Sequence, residues 1–528
     1  MSCLYPHKSR SSITIYQFYA IIVYCHFQYP PFLLSMSYQF STIPSQSIIF
    51  VGWSYEELRI LEKSAFFTNL ANPCHSIPWF NYPIDSHLDT INISPSSLSN
   101  IESGLPSYND DIFPEFASRI SSDQFEMLIL QLARTPFNSY SFYDQIRACR
   151  NSISMSIVII QNLHIISGSL FLFRDWPHLF TDYALSIAAT CLNCKTVVFS
   201  TLKGYAKDLT ASASDPVFYS FHDLSSSTII KMERQSKAAS DLVFYKLQTL
   251  VSPNPKSLSS YDNTEHPNPH IAYPKRPELL TNLLQDKYNS LDAIYHGCFQ
   301  RNLSFLRDLR AHYNEISSLD KHFFSSPKPF IYFPLPKQPE ANTQPYCGSR
   351  WDPLYWIRRL YSQLNGQYSI VIKEHPDTFR YSLCSNQHFI CPSFFGRSVH
   401  NYTILKSVFP NIYFADINLP QLRLINSPSC VAVFAMNGGA TYEAMRLYKY
   451  SILPNFHWMN KLPLTMSIDN LSLSTLAHAT NVENHSLLEL QSSLHEFSSF
   501  YWRSFSHQTC PSSTETYFAK DLSHLTHS

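Results

Sequence analysis

Val371-Ile372-Lys373-Glu374-His375-Pro376 and, further along, Asn437-Gly438-Gly439-Ala440-Thr441-Tyr442-Glu443-Ala444 each sit on or directly after a short apolar run. The first reads as a strand whose tip carries a lysine and a histidine, the second as a strand running into a glycine turn and a helix start. The strand tips of a parallel sheet are where such sheets bind phosphorylated ligands, because the following helix offers unpaired N–H groups and the positive end of its dipole. The chain has only 10 glycines in 528 residues, whereas about 7% is usual, so an adjacent pair stands out. Glycine permits positive φ and close approach of backbone to a ligand.

Outward from these motifs, strands are expected at 329–333, 369–373, 411–415, 430–436 and 450–453, alternating with helices at 353–364, 399–408, 420–425 and 441–448. That alternation implies a mostly parallel sheet covered on both faces. Toward the N-terminus, Ser47-Ile48-Ile49-Phe50-Val51, then Gly52 and a helical pattern at 55–63, reads as the opening unit of another doubly wound domain. It continues through helices at 123–134, 142–148 and 178–191 and β-like runs at 154–160, 169–173 and 195–200, with a surface loop at 88–112. Residues 251–277 are proline-rich and read as a linker, 279–318 as helical, and the domain boundary is placed near 325.

The expected fold is therefore α/β, with two Rossmann-like doubly wound domains facing a cleft. Residues 1–45 are expected to form an extension, poorly structured or an over-called start; 46–325 a first Rossmann-like domain with long loops; 326–475 a second, nucleotide-binding domain; 476–528 a closing helix and a tail. The apolar run at 13–24 is too short to span a bilayer and is broken by Gln17. A cytoplasmic chain is expected, at most peripheral at the inner face of the plasma membrane.

Lys+Arg 39 against Asp+Glu 39 gives no net charge, which argues against a nucleic-acid partner. Charged residues at 15% and aromatics at 15% leave room for a protein or membrane-surface contact. Twelve cysteines show no disulfide rhythm. The lone CxxC, Cys191 and Cys194, reads as buried apolar packing, and no metal is expected.

At the first motif, strand alternation would put Lys373 and His375 on one side, where they could clamp an anion, with Glu374 between them counted among the ligand-binding groups. The bland alternative is a solvated lysine and a capping histidine. At the second, Gly438 and Gly439 would cradle phosphate, Thr441 would add a hydroxyl, and Glu443 could reach ribose hydroxyls or merely favour the helix dipole. After the strand at 329–333, Gln338, Glu340 and Asn342 are suited to sugar hydroxyls or a base edge, although an ordinary proline-rich loop would look the same.

Tyr332-Phe333-Pro334-Leu335 with Gln338-Pro339-Glu340-Ala341, then Lys373-Glu374-His375-Pro376, then Asn437-Gly438-Gly439 with Thr441 and Glu443-Ala444, resembles the bacterial capsule and surface polysaccharide biosynthesis proteins. That group includes Kdo transferases and lies near the sialyl- and polysialyltransferases. In the first half, Pro177-His178 followed by Asp182 resembles the group's Pro-His-x-x-x-Asp segment, and the likeness covers roughly residues 45–460. The chain departs from it at Tyr448-Lys449-Tyr450, where members carry Gly-Lys-Pro, and at Asn455-Phe456-His457-Trp458-Met459, where they carry Phe-Gly-x-x-Trp-Tyr.

The resemblance implies a metal-independent glycosyltransferase of GT-B type, with His375 and Thr441 on the nucleotide phosphates and Glu443 on the ribose. No cofactor is implied; the donor is a nucleotide sugar, a CMP-linked one among the options, and the acceptor a capsular or other surface glycan. Contact with membrane-associated polysaccharide assembly machinery is a further implication. His375, Lys373 and the helix start would neutralise the leaving phosphate, while Asp182, with Asp175 as runner-up, would deprotonate the acceptor; His178 is either structural or catalytic. The rivals are a nucleotide-sugar epimerase, a polyol-phosphate transferase, or a non-catalytic glycan-binding or assembly protein of the same fold.

Overall fold

Two mostly parallel sheets organise the chain, and each has its first strand at the centre. The computed structural model describes residues 47–53, 74–77, 89–90, 112–132, 142–162, 165–177, 180–201, 217–251, 292–337, 346–379, 396–436, 439–462, 464–478, 485–505, 521 and 525. In the first sheet β1 (Ile48–Val51) lies between β2 (Cys74–Ile77) and β4 (Leu170–Phe173), with β3 (Asp89–Thr90) outside β2. On the other side come β5 (Lys195–Thr201) and then β6 (Val217–Asp223), which runs antiparallel and also pairs with the short β7 (Thr228–Ile229). The order β3-β2-β1-β4-β5-β6 is that of a doubly wound sheet, and Gly52, at φ 74, makes the left-handed turn off β1.

The second sheet repeats the order with six parallel strands. They are β8 (Phe330–Pro334), β9 (Ser369–Lys373), β10 (Ile412–Phe414), β11 (Cys430–Phe434), β12 (Tyr450–Leu453) and β13 (Thr465–Ser467), arranged β10-β9-β8-β11-β12-β13. Strands buried on both faces read as unbroken apolar runs, and β8, β9 and β11 are Phe-Ile-Tyr-Phe-Pro, Ser-Ile-Val-Ile-Lys and Cys-Val-Ala-Val-Phe. The winding reverses between β8 and β11, so the crevice beyond their C-terminal ends is the place such a sheet offers a ligand.

In the first half, α1 (Ile112–Phe116), α2 (Ser122–Leu132), α3 (Phe142–Asn162) and α4 (Phe180–Cys191) pack on one another. The β-like run at 154–160 lies inside α3. Its isoleucines Ile153, Ile157 and Ile160 recur at helical spacing and are fully buried, while Ser152 and Ser156 donate their hydroxyls to the carbonyls of Ala148 and Ser152, at 2.7 and 2.8 Å. Those bonds let polar residues sit in a buried helix whose β-branched composition suggests a strand.

The boundary expected near 325 also moves. Helices α6 (Asp292–Leu319) and α7 (Lys321–Ser325), which follow α5 (Lys237–Val251), belong with the second sheet: Tyr313 donates its hydroxyl to the Ala415 carbonyl at 2.7 Å, and the Asp320 carboxylate accepts from the Phe414 N–H at 2.7 Å and pairs with Lys406. That sheet is further covered by α8 (Pro353–Leu364), α9 (Val399–Val408), α10 (Gln421–Ile425) and α11 (Gly439–Arg446), and α12 (Leu473–His478) follows β13. Residues 485–505 return to the first sheet. Helix α13 (His485–Phe500) packs on α5 with the rings of His495 and Phe244 stacked at 3.8 Å, and β14 (Arg503–Phe505) pairs antiparallel with β6. The helical pattern at 55–63 and most of the 88–112 and 252–291 stretches fall outside the described residues.

Candidate functional site

Pleating sends successive residues of β9 to opposite faces of the sheet. Val371 packs in the cluster that contains Tyr332, Val433, Ala440 and Ala444, so Lys373, two residues on, leaves on the face covered by α11. Ile370 and Ile372 face Tyr313, Tyr402 and Phe414, and Glu374 continues to that side. The strand ends at Lys373, so the alternation expected to align His375 with it stops there. His375 is half-buried in a turn, where its N–H donates to Glu374 Oε2 at 2.9 Å and its carbonyl accepts from the Thr378 N–H at 2.9 Å.

Lys373 is 7% exposed, and its ammonium makes no hydrogen bond or ion pair with a described residue. Burial pulls its pKa from 10.5 down to about 8, opposed by the carboxylates of Glu374, Asp416 and Glu443. Glu443, just past the first turn of α11, is thus among the carboxylates whose field reaches the β9 tip. The leading N–H groups of a helix have no partner within it, and in α11 these start at Gly439. Gly439 does not use a left-handed φ, so what it contributes is the lack of a side chain rather than a turn. Thr441 is fully buried, and its hydroxyl has no hydrogen-bond partner among the described residues. Such a group is costly unless something else satisfies it. Glu443 accepts from Gln421 Nε2 at 2.5 Å, and the Gln421 carbonyl oxygen accepts from the Tyr332 hydroxyl at 3.3 Å, so a chain of side chains running under the switch point sets the carboxylate.

Glu374, expected among the ligand-binding groups, is instead consumed internally. At 1% exposure its Oε1 pairs with Arg397 Nε at 2.5 Å and accepts from the Tyr402 hydroxyl, while Oε2 accepts from the His375 N–H and the Thr378 hydroxyl, each at 2.9 Å. Three hydrogen-bond donors and the Arg397 ion pair, whose Nε is close but makes no aligned hydrogen bond, thus engage both oxygens within the protein. Gln338, Glu340, Asn342, Gly438 and His178 lie outside the described residues.

Asp182 was expected to face a cleft. It is 6% exposed near the start of α4, and it does not line the cavity that opens between the two halves. That cavity, of about 470 Å3, is bordered on one side by Asp123, Tyr183, Ser186 and Thr190 and on the other by Tyr346 and Arg350. One helical step decides the difference, since Tyr183 and Ser186 line the cavity while Asp182 turns into the packing of the helix. Asp123, near the start of α2, is the acidic side chain on the described wall. Asp175 accepts from the Trp176 N–H at 2.7 Å and is also absent from that wall.

Cys191 and Cys194 are free and buried, and burial raises their thiols to about 11 and about 12, respectively. Among the described residues no group of three or more His, Cys, Asp and Glu side chains is placed to hold a metal ion. No described helix is long and apolar enough to cross a membrane.

No known family profile matches the chain. No curated protein matches it either. Among solved structures, the UDP-GlcNAc 2-epimerase from Methanocaldococcus jannaschii aligns over 91% of this chain and 100% of its own, at 10% identity and a TM-score of 0.20. At that score the superposition does not bear on activity.

Proposed function

We propose that the chain binds the phosphates of a nucleotide sugar beyond β8 and β11 and transfers the sugar to a hydroxyl of a surface glycan. The observation that carries this reading is the buried Thr441 hydroxyl, without a hydrogen-bond partner among the described residues, on the helix that starts where the winding reverses, together with the largely buried Lys373 at the tip of β9. A phosphate oxygen satisfies a cation, a hydroxyl and helix N–H groups together. Glu443 and Asp416, which share the field around Lys373, suit the hydroxyls of the same ligand rather than a second anionic group.

In the transfer, the bond between the sugar's anomeric carbon and the phosphate oxygen breaks, with the electron pair leaving on the nucleotide. The acceptor oxygen bonds to that carbon and gives up its proton to a carboxylate. Lys373, Thr441 and the start of α11 neutralise the departing phosphate. Asp123, on the wall of the cavity between the halves, is the base in this reading, in place of Asp182, although Lys373, Thr441 and Glu443 are not among the residues lining that cavity. Both halves then form one two-domain transferase with a cleft, of GT-B type.

The test is thermal unfolding of the full chain with CMP, UDP, GDP and CDP, since a ligand that binds only the folded state raises its stability with the logarithm of concentration. At least one nucleotide should stabilise the wild type and fail to stabilise Lys373→Met. If none does, the reading is wrong. Product analysis with the matching nucleotide sugar then separates transfer from epimerisation.

A further inference from the structure

Arg397 is 1% exposed, follows Gly396, and takes no part in the chemistry above. Besides pairing with Glu374, it donates from Nη2 to the Pro336 carbonyl at 2.8 Å, in the segment that leaves β8. The Glu374 N–H donates to the Tyr313 hydroxyl at 3.0 Å, and that hydroxyl donates to the Ala415 carbonyl just past β10. The Leu335 N–H donates to the Lys373 carbonyl at 2.8 Å. Among the described residues, the Arg397–Glu374 ion pair and the Tyr313 hydroxyl thus add side-chain ties to the backbone bonds that join the ends of β8, β9 and β10.

We infer that Arg397 is a positioning residue, which, by locking Glu374 on one face of the sheet and the β8 exit beside it, fixes where Lys373 emerges on the other. This rests on the reading of the switch point as a phosphate site. Cohesion alone does not require such a pair, because apolar side chains of similar volume often serve a core as well as a buried salt bridge. A planar guanidinium adds direction, with donors at set angles that can hold two loops in a fixed relation. Alternation converts that hold into function: with Glu374 anchored on one face, the backbone at the β9 tip keeps Lys373 leaving on the other.

The experiment uses the full chain carrying Arg397→Met together with Glu374→Gln, which leaves no unpaired buried charge, and separately Arg397→Lys, which keeps the charge and loses the fork. Circular dichroism reports folding, calorimetry reports affinity for inorganic phosphate, and peptide mass spectrometry reports the rate at which acetic anhydride acylates Lys373 as a function of pH. In a folded variant, phosphate affinity weaker by about threefold or more, with the acylation profile of Lys373 moved toward that of an ordinary lysine, supports the proposal. A folded variant with smaller changes in both overturns it. If neither variant folds, the pair serves the fold itself and the positioning role is overturned. Wild-type protein that binds no phosphate, yet whose Lys373 profile moves in the variants, refutes the phosphate site and leaves the positioning role standing.

Discussion

Raising the pH removes the charge of Lys373 without changing its shape, and so it isolates what the ammonium does. Held at about 8 instead of 10.5, the group has lost about 3 kcal/mol of preference for its charged form, at about 1.4 kcal/mol per pKa unit. Because the folded pKa lies below the unfolded one, the unfolded chain holds more protons between about 8 and 10.5. Stability of the ligand-free protein therefore rises across that window, by up to about 3 kcal/mol from this residue. Anion binding runs the other way, since a phosphate beside the ammonium favours the protonated form. Affinity should hold below about 8 and then fall by up to about tenfold for each further pH unit. The ligand's own charge changes little over the range, because a terminal phosphate with a second pKa of about 6 is already roughly nine-tenths ionised at about pH 7. Calorimetric titration of the stabilising nucleotide from about pH 7 to about pH 9.5, with urea unfolding at the same values, reads both trends. Lys373→Met should be more stable than wild type at neutral pH and show neither trend. Wild-type affinity that stays level across the range would refute the assignment of Lys373 to the phosphate.

Thr441→Val keeps the shape and removes a buried hydroxyl that has no partner among the described residues, so it should gain about 1 kcal/mol in urea unfolding while nucleotide affinity falls by roughly five- to thirtyfold; lower stability with normal affinity would show the hydroxyl serves the fold. Tyr448 holds φ 55 at the end of α11, where the Lys449 N–H reaches the Ala444 carbonyl at 2.9 Å and the Tyr448 N–H reaches Met445 at 3.1 Å. That is a helix-ending pattern that favours glycine, so Tyr448→Gly should add about 0.5–1 kcal/mol, and unchanged stability would show the strain is relieved elsewhere. Asp123→Asn should retain nucleotide affinity and lose transfer, measured in a single turnover with the matching nucleotide sugar, whereas Asp182→Asn should leave transfer within a few fold of wild type; the reverse pattern would restore Asp182 as the base. Burial pushes His222 and His457 down from 6.5 to about 3. The unfolded chain then gains protons first as the pH drops, and each histidine should take away about 2 kcal/mol of stability between about pH 7 and pH 5, a loss that urea unfolding at both values would detect.

The second sheet is legible because its strands are buried on both faces, which leaves short apolar runs that turn residues cut off sharply; β9 at Ser369–Lys373 and β12 at Tyr450–Leu453 fall where the pattern puts them. The first half is less so. In α3 the residues that suggest a strand, β-branched isoleucines among serines, are held helical by burial of one face and by serine bonds to carbonyls four residues back. The placement of α6 depends on the contact of Tyr313 with Ala415, 102 positions away, and no local pattern carries such a contact. The scarcity of glycine also misleads about the backbone. Among the described residues, left-handed positions are shared between Gly52, Gly168, Gly348, Gly366 and Gly396 and the non-glycines Asn193, Ser227, Asn365, Tyr448 and Leu464, while Gly439 has an ordinary helical start.

The site was legible to the same depth. Lysine, threonine and glutamate at the tips of β9 and at the start of α11 are visible as motifs, because a ligand at a switch point is served by residues adjacent in sequence to strand ends. What holds them is not visible that way. Arg397 stands in an irregular stretch without periodicity, and its partners lie 23 and 61 positions back, at Glu374 and Pro336. Glu374 shows the limit most clearly, since in sequence it is flanked by the two residues most suited to phosphate and invites the same role. The pleat sends it to the opposite face from Lys373, where three hydroxyl and amide donors and a guanidinium consume its oxygens. A single step along the strand therefore separates a group free to meet a ligand from one that fixes its neighbour, and only the register of β9 against β8, Lys373 opposite Pro334, assigns the two roles.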